Sequence, residues 1–213
     1  MRRTVSFQHQ AVYHQSNAVS SSTKEIWFVL HGYGQLSQYF IRKFKGISSD
    51  TRVIVAPSGL SRFYLDGFSG RVGSTWMTKE ERLLDIDNYI NYLNSIADEV
   101  LKDASENVNI TLLGFSQGSA TVCRWAEKLS FPFEKLILHS GAFPEDIDFS
   151  GLGNKLRNKE VYMLRGTEDE FIDEKRKHEQ ESLIEKLNVN VNQIEFEGKH
   201  DIHIDSLKEI IKQ

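Results

Sequence analysis

Residues 109–120 read Asn-Ile-Thr-Leu-Leu-Gly-Phe-Ser-Gln-Gly-Ser-Ala, and this stretch restricts the fold more than any other. Its first half predicts a buried strand. Its small residues after Gly118 suit the close approach of a helix. Between them, Gly114-Phe115-Ser116-Gln117-Gly118 has the Gly-x-Ser-x-Gly spacing of a strand–turn–helix in which serine becomes a nucleophile. At the tip of so tight a turn the serine backbone is strained, and glycines at 114 and 118 remove side chains that would collide. Ser116 is then held over the C-terminal edge of a sheet. The helix that follows turns free N–H groups and the positive end of its dipole toward the same point. A plain turn between strand and helix is the competing reading of these five residues alone.

The rest of the chain supplies the alternation such a turn needs. The continuous apolar run at 26–30 predicts a strand covered on both faces. Further strands are expected at 52–56, 108–113, 135–139, 160–165 and 191–196. Residues 4–7 and 11–14, with polar residues interleaved, predict an opening antiparallel strand pair. Ser37 reads as the cap of a short helix that Gly46 closes. Thr78-Lys79-Glu80-Glu81 reads as a capping box. The helix after it carries Leu83, Ile86, Ile90, Leu93, Ala97 and Val100 as one apolar stripe. Helices are also expected at 118–129, about 173–188 and about 204–212, the second charged in its first half and read as a solvated face. Residues 58–76 are expected to form a long loop. Strands joined by helices imply an α/β fold with a doubly wound, mostly parallel sheet, in a single domain over 1–213. Ligands in such sheets bind outside the carboxyl ends of the strands, so functional residues are sought just after them.

A serine hydroxyl is a weak nucleophile and needs a base, which in turn needs an orienting acid. Of the seven histidines, His9 and His14 fall in the opening pair, His31 in the loop after the first core strand, His139 in a core strand and His178 in the charged helix. His200 follows the last strand directly, in Glu197-Gly198-Lys199-His200-Asp201, and is the preferred base; His203 is the alternative. The acid is expected after the strand at 160–165, where Asp169 sits centrally in the turn. Glu168 and Glu170 read as surface charge, and Asp173 as a helix cap. An oxyanion hole needs two preorganised N–H donors. Gln117, directly after the serine, supplies one, and Tyr33, in the glycine-rich loop His31-Gly32-Tyr33-Gly34-Gln35, supplies the other.

With those residues in place the chain resembles the α/β-hydrolase superfamily, and within it the small phospholipase/carboxylesterase group that includes acyl-protein thioesterases. The resemblance is carried by His31-Gly-Tyr-Gly, Gly114-Phe-Ser-Gln-Gly118, Gly166-Thr-Glu-Asp169 and Gly198-Lys-His200, in order along nearly the whole chain. It implies a triad of Ser116, Asp169 and His200, with the Tyr33 and Gln117 amides as the hole. The chain departs from the group at Tyr33, where an aliphatic residue is usual, and at Gln35, where an acidic one is. Lys199 replaces a glycine, and Trp76-Met77-Thr78 stands for Trp-Phe-Asp.

The implied reaction is hydrolysis of carboxylic esters or thioesters through an acyl-enzyme, without metal or organic cofactor. Phe63, Tyr64, Phe68, Trp76 and Met77, from 58–77, together with Phe143 and Phe171, are candidates to line an apolar acyl pocket; anchoring of the loop to the core is the alternative. Without an insertion long enough for a large lid, small or single-chain acyl esters are the expected substrates. A formal net charge of -4 does not favour nucleic acid as partner, and no apolar run reaches membrane-spanning length. The first ten residues lack the apolar core of a secretory signal. The single cysteine, Cys123, is read as packed, so a cytoplasmic enzyme is expected. Oligomeric state is left open by the sequence. The competing functions are a non-catalytic small-molecule-binding protein on the same fold, a dienelactone-type hydrolase, which usually has Cys at the position of Ser116, or a peptidase.

Overall fold

A computed structural model describes residues 1–212. In chain order its strands are β1 (Tyr13–Gln15), β2 (Glu25–Leu30), β3 (Arg52–Pro57), β4 (Ser61–Asp66), β5 (Ser69–Thr75), β6 (Asn109–Phe115), β7 (Lys135–His139), β8 (Glu160–Gly166) and β9 (Asn192–Phe196). The helices are α1 (Ser37–Phe40), which runs on as a 3-10 turn over Ile41–Phe44, α2 (Arg82–Leu101), α3 (Gln117–Lys128), α4 (Phe149–Leu156), α5 (Glu174–Leu187) and α6 (Ile204–Lys212). One sheet has the order β1-β3-β2-β6-β7-β8-β9. Its pairings are parallel except β1 against β3.

Period two explains why β2 is apolar from Ile26 to Leu30. Ile26, Phe28 and Leu30 face one core layer, while Trp27 and Val29 face the other, and all five are buried. The first layer is closed by α2 to α5 through Leu93, Trp125, Leu152 and Leu183. The second is closed by α1, its 3-10 extension and α6 through Phe40, Phe44, Leu207 and Ile210. This is the doubly wound α/β sheet that the alternating pattern implied. The chain leaves β2 toward β3 on one side and returns to β6 on the other, so the outgoing loops of β2 and β6 diverge at a switch point.

Five local expectations are corrected. Residues 4–7 form no strand; the antiparallel opening element is Tyr13–Gln15, laid on the edge of β3 with Tyr13 opposite Pro57. A free hairpin is marginal in water, whereas the β3 edge offers a ladder already anchored to a core. The expected loop at 58–76 contains the hairpin β4–β5, turned at Gly67-Phe68 with Gly67 at φ 59°. Thr78 does not cap α2. The helix begins at Arg82, after Glu81 at φ 49°, and the Glu81 carboxylate is drawn to Arg2 at 2.5 Å instead of closing a capping box. Ser37 is the first residue of α1 and not its cap, with its hydroxyl bonded to His14 Nδ1 at 2.9 Å. The stripe on α2 includes Tyr89 and Ile96, whereas Leu83 is exposed. Helix α4, capped by the Asp148 carboxylate, was not anticipated. No helix among the described residues is long and apolar enough to cross a membrane.

Candidate active site

Ser116 lies between β6 and α3 at φ 52°, ψ -118°, a backbone state that L-residues adopt only when their surroundings hold them there. Two hydrogen bonds do so. The Ser116 N–H donates to the His139 carbonyl at 3.0 Å, and Ser119 Oγ donates to the Gly114 carbonyl at 2.7 Å. The two glycines are then forced by contact. A Cβ on Gly114 would stand 2.3 Å from the Gly118 carbonyl oxygen, and one on Gly118 would stand 2.2 Å from the Leu30 carbonyl oxygen. The second contact shows that residue 118 is small because β2 passes beneath it. The Ser116 hydroxyl does not cap α3, so it is left to other work.

The loop after β2 comes up beside the serine, close enough that a Cβ on Gly32 would be 3.1 Å from Ser116 Cβ. It is held from below. His31 is fully buried, and its Nδ1–H donates to the Gly32 carbonyl at 2.7 Å while Nε2 accepts from Gly59 N–H at 2.9 Å. Burial drives its pKa down to about 4, so the ring stays neutral. Trp76 Nε1–H donates to the His31 carbonyl at 2.8 Å, and Gly34 N–H donates to Ser74 on β5 at 2.9 Å. Among the described residues the N–H groups of Tyr33 and Gln117 have no acceptor. The Tyr33 side chain is exposed, with its ring over Phe63 at 5.1 Å.

The other two chemical groups meet through paired loops. Thr167 N–H donates to the Phe196 carbonyl and Glu168 N–H to the Gly198 carbonyl, both at 2.9 Å, which joins the exits of β8 and β9. Asp169 thereby reaches His200: its Oδ2 accepts from His200 Nδ1 at 2.7 Å, and its Oδ1 accepts from Phe171 N–H at 3.0 Å. The Asp169 side chain is fully buried. The His200 ring lies between Phe115, 5.0 Å away, and Phe171, 4.7 Å away, and Lys43 pairs with Asp201 at 2.5 Å to tether the same loop. With Nδ1 occupied, Nε2 is the free nitrogen. Ser116 and His200 line one cavity of about 180 Å3. No hydrogen bond joins their side chains among the described residues; such contacts are often long without substrate and tighten on binding.

The remaining histidines do other things. His203 is turned away, with Nδ1 bonded to Ser206 Oγ at 2.8 Å and its N–H donating to His139 Nε2 at 2.9 Å. His139 is buried with Nδ1 unpaired, and desolvation, followed by the nearby His203, lowers its pKa to about 3. Cys123 is fully buried, which pushes its thiol pKa up and away from reactivity. Asp173 caps α5, accepting from Arg176 N–H at 2.8 Å.

Of the seven apolar candidates, Phe171 lines the cavity and the other six do not. Trp76 and Phe143 are buried in the core, and Phe68 stands 98% exposed at the tip of the β4–β5 hairpin. Phe63 and Tyr64 lie on β4, and the Met77 carbonyl accepts from Gln117 Nε2 at 3.0 Å. The reason is directional. The hairpin stands over the β2 side of the serine, while the cavity opens on the β8 side, under α5. Its walls include Met163 from β8 and Ile172 and Ile184 from α5 and its approach. None of these three was named from the sequence. The signal was available: Met163 lies on β8, two strands over from the nucleophile, and Ile184 falls on the inner side of α5, whose sequence shows charge most plainly. The Gln117 side chain was also missed. Its Oε1 accepts from Trp76 N–H at 3.3 Å, locking the end of β5 to the nucleophile turn.

Residues 14–213 match the sequence profile of the phospholipase/carboxylesterase family. A search of curated proteins gave no match. Similar solved structures include acyl-protein thioesterase 2 of Zea mays, at 15% identity and TM-score 0.70, covering 95% of this chain and 97% of that one. Bacillus cereus carboxylesterase matches at 16% identity and TM-score 0.67, covering 95% and 92%. A carboxylesterase from Mesorhizobium loti matches at 17% identity and TM-score 0.66, covering 90% of each chain. At such identities the structural likeness speaks for the fold.

Proposed function

The chain belongs to the phospholipase/carboxylesterase family, and on that premise we propose that it hydrolyses carboxylic esters or thioesters with Ser116 as nucleophile, His200 as base and Asp169 as orienting acid. The observation that carries the reading is the 2.7 Å contact between buried Asp169 and His200 Nδ1, on the wall of the cavity that also holds Ser116 in its strained turn. Asp169 fixes the tautomer in which Nε2 is free to accept a proton and stabilises the imidazolium once formed. His200 takes the Ser116 proton as Oγ attacks the carbonyl carbon. The oxyanion that develops lies between the unpaired N–H groups of Tyr33 and Gln117, which need no reorganisation to receive it. His200 then protonates the departing alcohol or thiol, and in the second half activates water to release the acid and restore the serine.

The cavity volume bears on the substrate. An apolar cavity of roughly 150 Å3 admits benzene, so about 180 Å3 suits a short acyl group of about six carbons. Hydrolysis of a p-nitrophenyl butyrate by the wild-type protein beside Ser116→Ala tests the reading. The variant is expected to lose about five to six orders of magnitude in kcat, because the three groups act as a unit. Turnover that survives the substitution contradicts the assignment.

A further inference from the structure

The cavity shared by Ser116 and His200 is bordered by cations, one of which has no carboxylate partner. Much of its wall is apolar, with Ala142, Met163, Ile172 and Ile184. Three lining side chains are cations, Arg165, Arg176 and Lys177, against one carboxylate, Glu181. The whole chain has a formal net charge of -4. Arg165 pairs with Glu195 at 2.9 Å and Lys177 with Glu174 at 2.7 Å. Arg176 has no carboxylate partner among the described residues. One of its nitrogens, Nη1, donates to the Phe171 carbonyl at 2.5 Å, and Nε and Nη2 are unused. That bond sets the guanidinium next to Phe171, whose ring packs on His200 at 4.7 Å. A planar fork of unused donors beside an apolar chamber is suited to one end of a molecule that is hydrocarbon over most of its length and anionic at its tip.

We propose that the cavity receives the part of the ester bearing an anionic group, a carboxylate or phosphate a few bonds from the carbonyl, and that Arg176 recognises it. The inference rests on the ester-hydrolase reading above. The anion has two possible sources, a diacid whose far end stays free or an alcohol that is itself acidic. Three nitrophenyl esters separate them: the neutral hexanoate, the half-ester of adipic acid, and the hexanoate of a carboxylated nitrophenol. For each charged ester, kcat/KM is divided by that of the neutral one, in wild type and in Arg176→Gln. Comparing the two ratios cancels intrinsic reactivity.

The expected result is that the ratio for one charged ester falls about fivefold or more in Arg176→Gln. The same ratio in wild type falls when salt is raised from about 0.05 to about 0.5 M, since the attraction is screened. Arg176→Lys restores part of it. Loss for the adipate ester identifies the diacid source, and loss for the carboxylated phenol identifies the acidic alcohol. A merely structural role for Arg176 would lower all three esters alike and leave both ratios unmoved; that outcome overturns the inference while the esterase reading stands. If wild type hydrolyses none of the three, the esterase reading fails and the inference with it.

Discussion

At the scale of single residues the site divides by how far each depends on distant chain. Ser116 was legible because its signature is local, a strand, a five-residue turn and a helix, even though the φ 52° it adopts is also held by the His139 carbonyl and the backbone of β2. Asp169 and His200 were reachable only through topology, as residues placed just after neighbouring strands. Their 2.7 Å contact depends on loop pairing that no spacing in the sequence encodes. Six of the seven apolar candidates lie away from the cavity for the same reason in stronger form. An aromatic residue announces burial but not direction, and Trp76 and Phe143 went to the core. Asp169→Asn is expected to keep the fold, because the amide is isosteric and one of its atoms can still accept from Phe171 N–H. It removes the acceptor that fixes the His200 tautomer, so kcat should fall by about three to four orders of magnitude. Steady-state kinetics beside circular dichroism checks this; a loss below about tenfold would remove Asp169 from its role.

At the scale of elements, core strands and long helices were read almost to the residue, because period two and period 3.6 survive wherever one face or both are buried. The misread pieces have weaker constraints. The β4–β5 hairpin is outside the main sheet, its strands are largely exposed except at the Gly73–Thr75 end of β5, and only Asp66-Gly67 marks the turn. The α2 capping box failed because Arg2, distant in sequence, claims Glu81. Where elements meet, tolerance is small. Gly118 sits against the Leu30 carbonyl with no space for a methyl group. Gly118→Ala should therefore force α3 away from β2, costing about 1–3 kcal/mol and lowering turnover through displacement of the Gln117 amide. Urea unfolding measures the first effect, and a variant as stable as wild type would show that the helix is not pinned there.

At the scale of the whole molecule, two layers of core enclose two neutral histidines. Burial lowers His31 to about 4 and His139 to about 3, both from an ordinary 6.5. Below pH 6.5 the unfolded chain takes up a proton on each, and the folded chain does not. Stability therefore falls as pH drops from 6.5 toward 4, by about 1.4 kcal/mol per pH unit for each histidine. Below pH 4 only His139 continues the trend. Melting temperatures taken from pH 7 to pH 4 should decline steadily, and a flat profile would mean that these rings are protonated in the folded state. The same packed core fixes where the loops of β2, β6, β8 and β9 converge, and the proposed chemistry depends on that convergence. Treatment with a fluorophosphonate, followed by mass spectrometry of the intact protein and its peptides, tests it most directly. A single adduct on Ser116, lost in both Ser116→Ala and His200→Ala, is the predicted result. A native protein that takes no adduct at Ser116, or takes it equally well without His200, contradicts it.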